Sequence, residues 1–188
     1  MLETLLLLDR KLFLFLNGFH AEWFNPVMEL VSSQGIWVPF IGLCLYFAYK
    51  NFPKSQFGIF LLFLTLLLIL TDSTSSYVLK NLTERLRPCR DLDLKPLIYS
   101  FGQRCGGRFG FVSSHAANSL ALSLFCFRTI PMPRYLAYSL IALALLVSYS
   151  RIYLGVHYPG DVLGGFAVAL FWTGSFTYFW KNLKGQAC

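Results

Sequence analysis

The sequence predicts an all-α, polytopic membrane bundle of about five transmembrane helices, each needing about 20 residues to cross some 30 Å of hydrocarbon. Three observations predict it. The chain is 56% hydrophobic, 18% aromatic and only 13% charged, with mean hydropathy +0.56, too apolar for a soluble domain of this length. Its apolar residues fall in long blocks separated by short polar turns, the pattern that membrane spans impose. Finally, six of the sixteen basic residues (Lys50, Lys54, Arg128, Arg134, Lys181 and Lys184) lie at block ends, where topology and lipid-surface contact explain them. The net charge of +7 is therefore not the clustered basic footprint of a nucleic-acid binder. We expect one membrane-embedded domain over residues 1–188, with N-terminal interfacial helices over 1–34.

Residues 1–20 place Leu5, Leu8, Leu12, Phe15 and Phe19 at helical spacing, with Glu3, Asp9, Arg10, Lys11, Asn17 and His20 on other faces, as in a helix lying in the interface. The segment makes a poor signal peptide, because Glu3 spoils a basic start and Asp9-Arg10-Lys11 interrupts the apolar run. Asn25-Pro26 reads as an N-cap and first helical residue, opening a short helix to about Ser33. Gly35 to Tyr49 is apolar but short for a span, so it is expected to tilt, thin the bilayer or join the preceding helix around Gly35.

The second block runs from Phe57 to Leu70 and continues as a polar helix through Asp72, Ser73, Thr74, Ser75 and Ser76 to Lys80. A polar run at that depth must face protein or water. Asp72 lies two turns before Lys80, so it either tunes that lysine or makes a structural hydrogen bond. A long polar loop from about Pro88 to Phe111 follows, flanked by Cys89 and Cys105, which can close a disulfide across it if it faces an oxidising compartment. The third span runs from Ser113 to Ile130, the fourth from Tyr135 to Tyr153 and the fifth from Asp161 to Trp180, while Cys44 and Cys126 lie inertly within apolar segments.

Alternating the spans brings Lys80, the start of the third span and the Arg151–Asp161 turn to one membrane face. That face then holds Lys80, Arg85, Arg87, His115, Arg151, His157 and Asp161. Arginines and a lysine suit a tetrahedral dianion. Two histidines suit bond transfer, one attacking phosphorus and the other protonating the leaving oxygen, with Asp161 orienting the nucleophile. Arg85 and Arg90 read as membrane-edge anchors, and Asp161 as a possible N-cap of the fifth helix.

These residues carry a resemblance. Lys80-Asn-Leu-Thr-Glu-Arg-Leu-Arg87-Pro88 resembles a K-x6-RP motif, Val112-Ser113-Ser114-His115 resembles P-S-G-H, and Ser150-Arg151-x5-His157-x3-Asp161 resembles S-R-x5-H-x3-D. In this order and spacing, over residues 72–165, the chain resembles the type 2 phosphatidic acid phosphatase (PAP2) family. The resemblance implies a helical core shared with vanadium-dependent haloperoxidases and hydrolysis of a lipid phosphomonoester or pyrophosphate through a phosphohistidine. It makes His157 the nucleophile, Asp161 its orienting partner and His115 the general acid. Lys80, Arg87, Ser113, Ser114 and Arg151 would hold phosphoryl oxygens. Val112 and Ser114 stand where the motif has proline and glycine.

The resemblance implies no metal and no other cofactor. Candidate substrates are undecaprenyl pyrophosphate, phosphatidylglycerol phosphate, phosphatidic acid and a lipid A phosphate. The partners expected are thus a phosphorylated lipid and the bilayer, and no nucleic acid. A transferase on the same site, or a non-catalytic protein that binds or transports anionic lipid, is the alternative class; a soluble, vanadate-binding haloperoxidase conflicts with the apolar spans. The resemblance implies an integral protein of the bacterial inner membrane, and the basic residues opposite the site, with no acids among them, predict that the site faces the periplasm or outside.

Overall fold

The computed structural model describes residues 2–99 and 105–185, and among them the secondary structure is helical, with one isolated bridge pairing Leu86 and Phe109. Helix α1 (Leu2–Asn17) is followed by α2 (Asn25–Ser32) and α3 (Trp37–Asn51). Helix α4 (Lys54–Ser73) passes through a π-helical stretch (Thr74–Leu79) into a last turn, α5 (Lys80–Thr83). After the polar loop come α6 (Ser114–Thr129), α7 (Arg134–Tyr153) and α8 (Pro159–Gly185).

Three helical segments are long and apolar enough to cross a membrane: Lys54–Thr83, Arg134–Tyr153 and Pro159–Leu183. The pair Glu22–Ser32 and Gln34–Asn51 qualifies only jointly and is bent by 69°, which is how the short block after Gly35 joins its predecessor. Helix α6 has only 16 residues, yet it is the centre of the bundle, packing on α8, α7 and α4. Most of its residues are buried, so it needs no apolar outer face of its own. It meets α8 closely at Gly165, where a Cβ would stand 2.6 Å from the Ser113 carbonyl oxygen; only glycine permits this approach.

The half of the bundle away from the polar loop is an aromatic core. Phe60 stacks on Phe125 at 5.7 Å between centroids, and Phe52 and Phe60 both pack on Trp180. Such offset and edge contacts add about 0.5–1.5 kcal/mol each beyond the area they bury.

The stripe Leu5, Leu8, Leu12 and Phe15 on α1, with Phe19 just beyond the helix, is exposed, whereas Phe13 and Asn17 are buried against the bundle. Asn17 donates to the carbonyls of Ile152 (3.1 Å) and Tyr153 (2.9 Å), satisfying acceptors at the C-terminal end of α7. Asn25 is not an N-cap: Phe24 holds that position without a side-chain cap. The Asn25 side chain instead accepts from the Tyr153 hydroxyl at 2.7 Å and donates to the Tyr99 hydroxyl.

Candidate active site

The turn between α7 and α8 supplies the first part of the site. Arg151 lies in the last turn of α7 and its carbonyl accepts the N–H groups of Val156 (3.0 Å) and His157 (3.2 Å), folding the turn back on itself. His157 is 1% exposed and Asp161 0%. Four residues apart, they meet at 3.4 Å between Nδ1 and Oδ2. The same Oδ2 accepts the Tyr158 N–H at 3.0 Å. Asp161 is thus no N-cap; it sits in the first turn of α8 and reaches back to the preceding backbone, as the acidic partner of a capping box does.

The other elements converge on this turn. The Ser113 N–H donates to the Asp161 carbonyl at 2.9 Å, tying the start of α6 to the start of α8. Ser113 caps α6, its fully buried side chain accepting from the Ala116 N–H at 3.5 Å. Lys80 Nζ donates to Ser114 Oγ at 3.3 Å, so the serine in the motif's glycine position engages the lysine of the first motif. Arg87, held by its Nε–H to the Phe109 carbonyl at 3.1 Å, is largely buried. Arg151 Nη1 donates to Ser32 Oγ on α2, while its buried Nε has no partner among the described residues. Lys80, Arg87 and Arg151 all lie within electrostatic reach of both His157 and His115.

Burial, and then the charges of Arg87, Arg151 and Lys80, hold the His157 imidazole well below its ordinary value, against a backbone hydrogen bond with Gly110. The ring is therefore neutral at physiological pH and keeps a lone pair. Neutral imidazole beside a carboxylate and three cations can take up a phosphoryl group, because the cations favour the charge that develops on its oxygens.

Next to His115 a cavity of about 310 Å³ opens between α3, α4, α6 and α7, with Ser114, His115, Asp72 and Asn118 at its polar end and Trp37, Ile41, Leu68, Leu122 and Val147 beyond. Asp72 accepts from Asn118 (2.9 Å) and Ser76 (3.3 Å), making the structural hydrogen bond that is one of its two expected roles.

Sequence reasoning missed two residues. Arg85 is not a membrane-edge anchor: it bonds Asp161 Oδ1 at 2.9 Å and Asp9 Oδ2 on α1 at 2.6 Å. Asp9 also accepts the Gly160 N–H at 2.7 Å. An acid interrupting an apolar run was the available signal for Asp9; nothing local marked Arg85 apart from its neighbours. Arg90 donates to the Gly106 carbonyl at 3.0 Å, and Cys89 and Cys105 form a disulfide across the loop.

A helical membrane bundle with such a site on one face defines a class, the membrane-embedded phosphatases. The PAP2 superfamily model matches residues 57–184, and the chain belongs to that superfamily. It is 35% identical over 178 residues to a lipid A 4'-phosphatase of Bacteroides thetaiotaomicron, covering 92% of this chain and 79% of that one. A lipid A 4'-phosphatase of Porphyromonas gingivalis is 34% identical over 179 residues, covering 94% and 74%. The fold matches the crystal structure of a transmembrane PAP2-type phosphatidylglycerolphosphate phosphatase from Bacillus subtilis, with TM-score 0.69 and 21% identity over 97% of this chain and 87% of that one.

Proposed function

We propose that this chain is an integral membrane lipid phosphatase whose substrate is a lipid A phosphate carried on the sugar head group, hydrolysed through a phosphohistidine at His157. The observation that carries the chemistry is the buried, neutral His157 against Asp161, with Lys80, Arg87 and Arg151 around it. The similarity to two lipid A 4'-phosphatases supports the substrate.

The free ring nitrogen of His157 attacks phosphorus and the bond from phosphorus to the leaving sugar oxygen breaks. His115, lining the cavity beside Ser114, gives that oxygen its proton from the imidazolium form, which the negative charge of the bound phosphate favours against the neighbouring cations. Asp161 accepts a hydrogen bond from the Nδ1–H of His157 and, staying ionised, balances the positive charge that forms on the ring. Water then attacks the phosphohistidine, His115 takes the proton back, and phosphate leaves. Lys80, Arg87 and Arg151 hold the phosphoryl oxygens, and the unpaired Arg151 Nε–H is a donor that such an oxygen satisfies. The amides at the start of α6, around Ser113 and Ser114, add partial positive charge.

The site faces the periplasm or outside in this reading, because the bridge between Cys89 and Cys105 belongs to an oxidising compartment. The opposite ends of the spans carry Lys50, Lys54, Arg128, Arg134 and Lys181.

Phosphate release from lipid A, phosphatidylglycerol phosphate, phosphatidic acid and undecaprenyl pyrophosphate tests the proposal, with wild type compared with His157→Ala. Fastest release from lipid A, lost in the variant, is expected. No release from any lipid, or equal release by the variant, overturns the chemistry; faster release from another lipid overturns the substrate.

A further inference from the structure

The Arg85 guanidinium lies between two carboxylates, Asp161 at 2.9 Å and Asp9 at 2.6 Å. It also stacks on the Tyr158 ring at 4.0 Å. Its side chain is only 19% exposed and that of Asp9 14%. Asp9 uses its second oxygen on the Gly160 N–H at 2.7 Å, inside the first turn of α8. A Cβ at Gly160 would stand 2.7 Å from Asp9 Oδ2, so the bare backbone is what lets the carboxylate close on this turn. A path of polar contacts thus runs from α1 through Asp9 and Arg85 to the α8 end of the turn that carries His157.

Nothing in the three motifs calls for these residues. Arg85 occupies a position that K-x6-RP leaves open, and Asp9 lies outside the residues 57–184 that the family model matches. Yet Asp161 is wholly buried, and its two oxygens are divided between His157 and Tyr158 on one side and Arg85 on the other. A buried carboxylate that aims an imidazole must stay ionised and keep one orientation. Arg85 provides the counter-charge and fixes the carboxylate plane. By itself Arg85 would also make Asp161 a poorer acceptor for the proton of His157; the second carboxylate, Asp9, offsets this. The trio Asp161, Arg85 and Asp9 carries one net negative charge, matching the positive charge the ring gains when it is phosphorylated.

We propose that Asp9 and Arg85 are positioning residues for the phosphoryl transfer: helix α1, through this pair, orients the carboxylate that aims His157. The proposal rests on His157 being the nucleophile. It gives α1 a part in the reaction besides contact with the bilayer, and neither residue touches the substrate.

The test uses the full chain in detergent micelles with whichever lipid of the panel above the wild type hydrolyses fastest, comparing Asp9→Asn, Arg85→Gln, Arg85→Lys and His157→Ala. Partners that orient a metal-bound histidine contribute about 10- to 100-fold, and a loss of the same order is expected for partners that orient a nucleophilic one. The expected result is a fall in kcat of that size for Asp9→Asn and Arg85→Gln, with KM little changed and partial recovery in Arg85→Lys.

The second readout is the acid limb of kcat/KM against pH. Lys80, Arg87, Arg151 and His115 face His157, Arg85 and Arg87 face Asp161, and Asp91 and Arg10 lie by Tyr158. Against that fixed background, losing the Asp9 charge moves the limb to lower pH and losing the Arg85 charge moves it to higher pH. A merely structural pair lowers the amount of folded enzyme and leaves the limb in place. Inactive His157→Ala together with unmoved limbs in both charge variants, whether or not activity falls, overturns this inference alone; an active His157→Ala overturns the reading beneath it.

Discussion

The two ends of the bundle are held together by different physics. At one end Phe52, Phe60, Phe125 and Trp180 fill the space between α3, α4, α6 and α8 with ring contacts. At the other, α1, the α4–α5 segment, the polar loop, α6 and the α7–α8 turn meet through Asp9, Lys80, Arg85, Ser113 and Asp161, joined by directional bonds. Packing of the first kind is non-directional and spread over many weak contacts; bonds of the second kind fix the placement of single atoms. The aromatic end accordingly secures the bundle, while the polar end secures the geometry of His157.

That contrast breaks if substitutions at the two ends have interchangeable effects. Arg87→Gln removes a charge near His157. Loss of one donor to a transition-state oxygen costs about 10²–10³-fold in rate, and kcat/KM is expected to fall by that much with little change in thermal unfolding. The sign of its pH effect also follows. Burial first, and then the positive charges of Arg87, Arg151 and Lys80, depress the His157 value, so removing Arg87 raises it. The acid limb of kcat/KM should move to higher pH.

Phe60→Ala should do the reverse. Deleting a wholly buried phenylalanine costs about 3–5 kcal/mol of stability, visible as a lower Tm in detergent. The surviving folded fraction should keep its acid limb and its kcat within a few-fold. A moved limb in Phe60→Ala would show that the two ends are coupled.

The sequence made the helical bundle legible because apolar block length and charge placement at block ends are local signals. Lys80, His115, Arg151, His157 and Asp161 were legible for another reason: their spacing within three motifs reports a turn or a helix end. What spacing cannot report is a partner far along the chain. Arg85 and Asp9 are separated by 76 positions, as are Arg85 and Asp161, and each alone resembles a charge at a membrane edge. Ser114 was legible as a departure from its motif, but its bond to Lys80 required the fold. Cys89 and Cys105 could be paired only conditionally, since a disulfide depends on a geometry that loop length does not fix.

The central claim is that phosphate passes through His157. The direct test is an alkaline quench of enzyme turning over lipid labelled in its phosphate, followed by mapping of the label. An alkali-stable, acid-labile phosphate on His157, absent from His157→Ala together with its turnover, is the predicted result. Label on another residue, or wild-type release by His157→Ala, would contradict it.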